Sequence, residues 1–275
     1  MTSDPFSLPP LIERLSPAVL TAIRQSGGAE PQRISSLQAG PASQETQAIV
    51  GLIDQTLLKP EVTAAQVDAL CDDARAFRFA AVSVNTSFVR QAARKLQGSG
   101  VCVCSVAGFP LGASQPIVKA LEAQVAIDDG AGEIDMVMAI GRLIAGDYAA
   151  VAEDLLCLTR LAHARGALVK LVFETFLLNL EQKVAACLLA MHSGIDFVKT
   201  STGFAGGGAT VEDVSLMRSV VGNRVGVKAA GGIRSPDDAR RMLAAGANRL
   251  GTSSGVTIAR QIAEGRAHGG AGTGY

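Results

Sequence analysis

The stretch GEIDMVMAIGRLIAGDYAAVAEDLLCLTRLAHARGALVKLVFE (132–174) reads as one strand–helix–strand unit. Its ends, EIDMVM (133–138) and ALVKLVF (167–173), are short and almost wholly apolar. The middle carries apolar residues at helical spacing and stops at Gly166 after Arg165. Near-continuous apolar strands must be covered on both faces, which calls for a parallel sheet sheathed by helices. Working outward, further strands are predicted near 50–54, 80–84, 101–107, 195–199, 225–228 and 248–251. Between them lie helix-period segments such as TAAQVDALCDDARAF (63–77), QPIVKALEAQVAIDDG (115–130) and SPDDARRMLAAG (235–246), the last with Ser235 as N-cap and Gly246 as stop. Eight such units in series predict a (β/α)8 TIM barrel over residues 46–265. A doubly wound open sheet is the alternative, but no Gly-x-Gly-x-x-Gly follows the first strand to support it.

The flanks read differently. Residues 1–45 form an N-terminal extension: a short helix is expected over 11–23, then a linker, SGGAEPQRISSLQAGPASQ (26–44). Residues 266–275 are a Gly-rich, flexible tail. Lys plus Arg and Asp plus Glu both total 25, so nothing in the net charge points to nucleic acid or an anionic membrane. An anionic ligand must be met by local charge or backbone amides. Five cysteines without a C-x-x-C pair, and a start lacking a signal peptide, read as reduced thiols in the cytoplasm. No apolar stretch approaches the ~18 residues of a membrane span. A homodimer suits such a barrel, though no interface is legible.

In a barrel of this kind the active site forms at the C-terminal strand ends. The polar residues that interrupt those ends are Asp54, Ser83 with Asn85, Ser105, Asp135, Lys170 with Glu174, Lys199, Lys228 and the group Thr252, Ser253 and Ser254. Asp135, Lys170, Lys199 and Lys228 recur at intervals of about 30 residues, one βα unit each. Only seven lysines occur in the chain, and three of them stand in apolar strands. A buried lysine needs a partner or a task. The structural alternative is a salt bridge to Asp135 or Glu174, or a stem lying along apolar surface. The catalytic one is that Lys228 crowds a desolvated Lys199, so that Lys199 loses its proton and attacks a carbonyl as a Schiff-base nucleophile. Asp135 then supplies a carboxylate for proton transfer.

Two glycine-rich turns follow, around Gly231 and Gly232 after strand seven and at 251–255 after strand eight. These are the positions at which barrels of this type bind phosphate, although tight βα turns also use glycine. His163 and His192 fall in helices and His268 in the tail, so no zinc site assembles and no metal is expected.

Taken together, IDQTLLKP (53–60), VSVNTSFV (82–89), CSVAGFPLGA (104–113), GEIDMVMAIG (132–141), LVKLVFET (168–175), DFVKTSTGF (196–204), GVKAAGGIRS (226–235) and RLGTSSG (249–255) resemble the deoxyribose-phosphate aldolase family. The resemblance implies reversible cleavage of 2-deoxy-D-ribose 5-phosphate to acetaldehyde and D-glyceraldehyde 3-phosphate, without metal or organic cofactor. It implies that Lys199 forms the imine, Lys228 perturbs it, Asp135 shuttles protons and Asp54 shares the pocket. It further implies phosphate contacts from Thr202, Gly203, Gly231, Gly232, Ser253 and Ser254, and Lys170 is taken as a substrate-binding residue beside them. A terminal Tyr275 resembles that of relatives in which this residue helps move a proton. Gln55 and Ser83 depart from residues many members carry there, and Phe204 stands where some members have a lysine and others likewise a phenylalanine. The rivals are a class I aldolase for ketose phosphates and a phosphate-binding barrel without imine chemistry.

Overall fold

The computed structural model describes residues 8–28 and 49–265. Its strands are β1 (Ile53–Leu57), β2 (Ala81–Val84), β3 (Cys102–Ala107), β4 (Glu133–Val137), β5 (Leu168–Val172), β6 (Phe197–Lys199), β7 (Gly226–Ala230) and β8 (Arg249–Thr252). All pair in parallel, in sequence order, and β8 closes on β1. This is the predicted barrel. The helices, in chain order, are α1 (Leu8–Gln25), α2 (Ala64–Phe77), α3 (Val89–Leu96), α4 (Pro116–Asp128), α5 (Ile140–Ile144), α6 (Tyr148–His163), α7 (Leu180–His192), α8 (Val211–Val221), α9 (Pro236–Ala244) and α10 (Gly255–Ala263). Capping boxes start three of them: Thr63 with Gln66, Asn179 with Gln182, and Ser235 with Asp238.

Strand alternation explains how an apolar sheet carries a polar interior. Ile134 and Met136, Leu171, Val198, Val227 and Leu250 are buried against the helix layer, whereas Asp54, Asp135, Lys170 and Lys228 meet one another across the barrel. β1 starts three residues later than predicted, because residues 49–52 form a helical turn and the strand runs through the polar Asp54, Gln55 and Thr56. Apolar count alone placed it too early.

The N-terminal helix is longer than its apolar stripe suggested. It begins at Leu8 with Pro9 and Pro10 in its first turn, where no backbone N–H is required. Leu11, Leu15, Val19, Ala22 and Ile23 bury one face against α6 and α7, each larger aliphatic contributing about 1.5–3 kcal/mol. Arg14 pairs with Glu181 at 2.9 Å, Ser26 Oγ donates to the Ala149 carbonyl at 3.2 Å, and Arg160 donates to the Gly27 carbonyl. Of the expected linker, residues 26–28 are described; the rest of it and the tail, with His268 and Tyr275, lie outside the described residues. Among the described residues no helix is long and apolar enough to cross a membrane.

Candidate active site

Lys199 ends β6 and projects inward beside Lys228 of β7, its partner in the strand register. Its Nζ lies 2.7 Å from Asp135 Oδ2, and Lys228 Nζ lies 2.8 Å from the same oxygen. One carboxylate oxygen thus bridges two amines. Lys228 Nζ is also 2.5 Å from Asp54 Oδ2. Gly251 leaves room for this lysine, since a Cβ there would meet Lys228 Cε at 3.0 Å and Ala230 Cβ at 2.9 Å. Small residues on β7 and β8 are therefore part of how the site is built.

The electrostatics separate the two amines. Burial is the largest influence on Lys199 and favours its neutral form; Asp135 opposes this and Lys228 reinforces it, leaving the pKa below that of an ordinary lysine. Burial also acts against charge on Lys228, but Asp135 and Asp54 outweigh it and hold this amine above the usual value. Asp135 is buried, yet Lys170, Lys199 and Lys228 keep it well below the usual carboxylate range. Lys199 is thus the amine of the pair nearest to discharge.

Lys199 opens onto a cavity of about 490 Å³ walled by residues 56–59, 202–204, 230–234 and 251–254. Thr202, Gly203, Gly231, Gly232, Ser253 and Ser254 all line it, as predicted positions around one mouth. Gly231 and Gly232 have φ of +90° and +79°, backbone that other residues rarely adopt. Helix α10 starts one residue after Ser254, adding a helix N-terminus to the same rim. Thr202 is more committed than expected: its amide and hydroxyl both donate to buried Glu174, and its Oγ accepts from Phe204 N at 3.0 Å. Its hydroxyl proton is engaged in holding the loop.

Lys170 requires a correction. It is fully buried and absent from the cavity wall; its Nζ lies 2.5 Å from Glu133, 3.1 Å from Asp135 and 3.6 Å from Asp54. Two residues before Val172, the register partner of Lys199, it faces carboxylates instead of substrate. Ser105 likewise points away from the interior and donates to the Val84 carbonyl, while Asn85 ties the first loop by donating to the Leu58 carbonyl. Phe173 is core, and Phe176 is exposed at the rim.

Several site residues escaped the sequence reading. Glu133 and Arg249 face the interior two residues before Asp135 and Gly251, so strand alternation could have found them. Cys104 on β3 points the same way and donates to Asp135 Oδ1 at 3.2 Å; burial pushes its thiol up to about 12. Lys59 and Arg234 stand at the cavity mouth, inside the segments IDQTLLKP and GVKAAGGIRS, where the strand-end and glycine positions drew the notice instead. Gln55 accepts from Gly255 N at 2.9 Å and donates to the Ser253 carbonyl at 3.2 Å, fastening the loop after β8.

Comparison with known proteins agrees with this geometry. Residues 48–265 match the model of the DeoC/LacD family aldolase. The chain is 50% identical over 217 residues to deoxyribose-phosphate aldolase 1 of Bacillus licheniformis, covering 79% of this chain and 97% of that protein. It is 52% identical over 206 residues to the deoxyribose-phosphate aldolase of Streptococcus gordonii, covering 75% and 93%. A solved deoxyribose phosphate aldolase from Aeropyrum pernix, described as a tetramer, superposes with a TM-score of 0.75 at 30% identity, covering 90% of this chain and 97% of that one. With the family model matched over residues 48–265 and most of each relative's length covered, the chain belongs to the DeoC/LacD family of aldolases.

Proposed function

We propose that this protein is a class I aldolase that cleaves 2-deoxy-D-ribose 5-phosphate reversibly, with Lys199 as the imine-forming residue. The observation that carries the reading is a lysine amine opening onto a cavity while a second lysine and a shared carboxylate hold it from behind. Neutral Lys199 Nζ attacks C1 of the open-chain aldehyde, and loss of water from the carbinolamine gives an iminium. The C3 hydroxyl then loses its proton as the C2–C3 bond breaks. The bonding pair moves to C1–C2, discharging the iminium nitrogen as an enamine and releasing D-glyceraldehyde 3-phosphate. Protonation of the enamine at C2 and hydrolysis free acetaldehyde and return the amine.

Asp135, touching both amines, is the group through which a proton can pass between Lys228 and Lys199. Asp54 anchors Lys228 on the far side. The phosphate is assigned to the wall formed by Gly203, Gly231, Gly232, Ser253 and Ser254, with Arg234 and Lys59 adding positive charge at the mouth. Thr202 shapes that wall from its hydrogen bonds to Glu174. Lys170 is assigned to orienting Asp135.

The test is reductive trapping. Acetaldehyde with borohydride is expected to add one ethyl group to the peptide carrying Lys199 and to abolish turnover. Lys199→Arg is expected to lose both adduct and activity. No adduct under turnover conditions, or an adduct formed only with dihydroxyacetone phosphate, overturns the assignment.

A further inference from the structure

Behind the cavity the barrel interior holds a closed ring of charge, to which six of the eight strands contribute. Asp54 comes from β1, Glu133 and Asp135 from β4, Lys170 from β5, Lys199 from β6, Lys228 from β7 and Arg249 from β8. Arg249 lies 2.8 Å from Asp54 and 3.1 Å from each Glu133 oxygen, with its guanidinium 5.3 Å above the Phe197 ring. Lys199, Lys228 and Arg249 are neighbours in register on consecutive strands. Four cations therefore face three carboxylates, in a region where every member is buried or nearly so. β2 adds only the uncharged Ser83, and β3 adds Cys104, whose thiol stays neutral. Lys59 and Arg234 at the mouth are the remaining charges on the cavity wall.

An uncompensated charge in such an interior is costly, and the ring reaches neutrality when one cation gives up its proton. Arg249 does not titrate. Lys170 has three carboxylates within reach and Lys228 has two, whereas Lys199 has Asp135 alone. The least compensated amine is also the one that opens onto the cavity.

We propose that Arg249 and Glu133, out of reach of the substrate, are positioning residues whose charges set the protonation state of Lys199. Arg249 is the surplus cation that forces Lys199 to discharge, and Glu133 is the counterweight that limits the effect. The inference rests on the imine chemistry assigned to Lys199 and extends it from the neighbouring lysine to the floor of the barrel.

The experiment is the pH dependence of borohydride trapping at Lys199, with kcat against pH measured on the same full-length variants. Arg249→Met leaves three cations and three carboxylates, so Lys199 keeps its proton. The acid limb is expected to move up by about one pH unit, roughly tenfold slower trapping on that limb. Glu133→Gln has the opposite charge effect, and the limb is expected to move down by a similar amount. The double variant restores a surplus of one cation, and its limb is expected near that of the parent, as is that of Arg249→Lys. Should Arg249→Met fail to fold, Glu133→Gln and the double variant carry the test. Shifts of the two single variants in the same direction, no shift in Glu133→Gln, or a double variant whose limb stays with that of Glu133→Gln, overturn the proposal. The parent adduct is the control, because a parent without it defeats the imine assignment itself and not this extension.

Discussion

Lys119 and Lys199 are both buried and both contact a carboxylate at hydrogen-bonding distance, yet only Lys199 is placed for chemistry. Lys119 on α4 lies 2.6 Å from Asp154 on α6, between the helix layer and the end of β4. Its Nζ also donates to the Val137 carbonyl at 2.9 Å, and Asp154 accepts from Ala139 N at 3.1 Å. Lys199 inside the barrel has a contact of almost the same length to Asp135. Burial is the leading influence on both amines and holds both below the ordinary lysine range. A depressed pKa therefore does not tell a nucleophile from a strut. What differs is access and balance. Lys119 is sealed on a one-to-one pair that pins the end of β4, whereas Lys199 opens onto a cavity and belongs to a ring with more cations than carboxylates.

The contrast is broken most directly by deleting one member of each arrangement. Lys119→Met or Asp154→Ala leaves a buried charge without its partner, and a loss of about 3–5 kcal/mol in urea-unfolding stability is expected. Joint replacement by Met and Leu is expected to recover most of it, since a well-packed apolar pair of similar volume is often no worse than a buried ion pair. Lys199→Met removes an amine that is already discharged and leaves three cations facing three carboxylates, so its stability is expected within about 1 kcal/mol of the parent while trapping disappears. Equal destabilisation by Lys119→Met and Lys199→Met would end the distinction drawn here.

A smaller effect is expected from the neutral clamp at the same end of the barrel. Gln55 holds the loop after β8 through the Gly255 amide and the Ser253 carbonyl, without touching the amines. Gln55→Leu leaves that buried amide unpaired, a change of about 1–2 kcal/mol. If the loop is the phosphate wall, KM for the phosphorylated sugar is expected to rise about tenfold with kcat nearly unchanged. Unphosphorylated 2-deoxyribose should be handled as before. A matching loss on both sugars would mean that Gln55 serves general stability and that position relative to the cavity matters less than supposed.

The same contrast shows what a sequence displays and what it hides. The barrel was legible because each βα unit repeats one pattern, an apolar strand followed by a helix with readable caps, as at Ser235 and Thr63. Lys199, Lys228 and Asp135 were legible because a charge in an apolar strand is conspicuous. Lys119 was not, because a lysine in a helix looks ordinary until the fold turns it inward. Lys170 looked like its neighbours, but its place one step lower in the barrel depends on strand stagger, which local pattern does not encode. Arg249 and Glu133 sit at strand starts, where charge is common and draws no notice. Gln55 gains its role from Gly255, 200 positions away.

At the edge of water the comparison should fade, and a third ion pair tests this. His163 on α6 is half-exposed, and its Nε2 lies 2.9 Å from Asp196 Oδ2, an oxygen that also accepts from Val169 N at 2.7 Å. The hydrogen bond to Asp196 raises the imidazole pKa above its ordinary value, against some burial. A group raised in the folded state stabilises fully below its unfolded pKa of about 6.5 and loses that contribution as pH rises through the folded value. Solvent screening keeps the contribution under about 1 kcal/mol. Urea-unfolding midpoints from pH 5.5 to 8.5, values chosen to span about two units around the titration, should fall slightly with rising pH in the parent. His163→Asn should flatten that slope, because Asp196 keeps its backbone partner and only the titrating proton is gone. A pH slope as steep in His163→Asn as in the parent would assign the dependence to the buried ring, where the largest imbalance of charge lies.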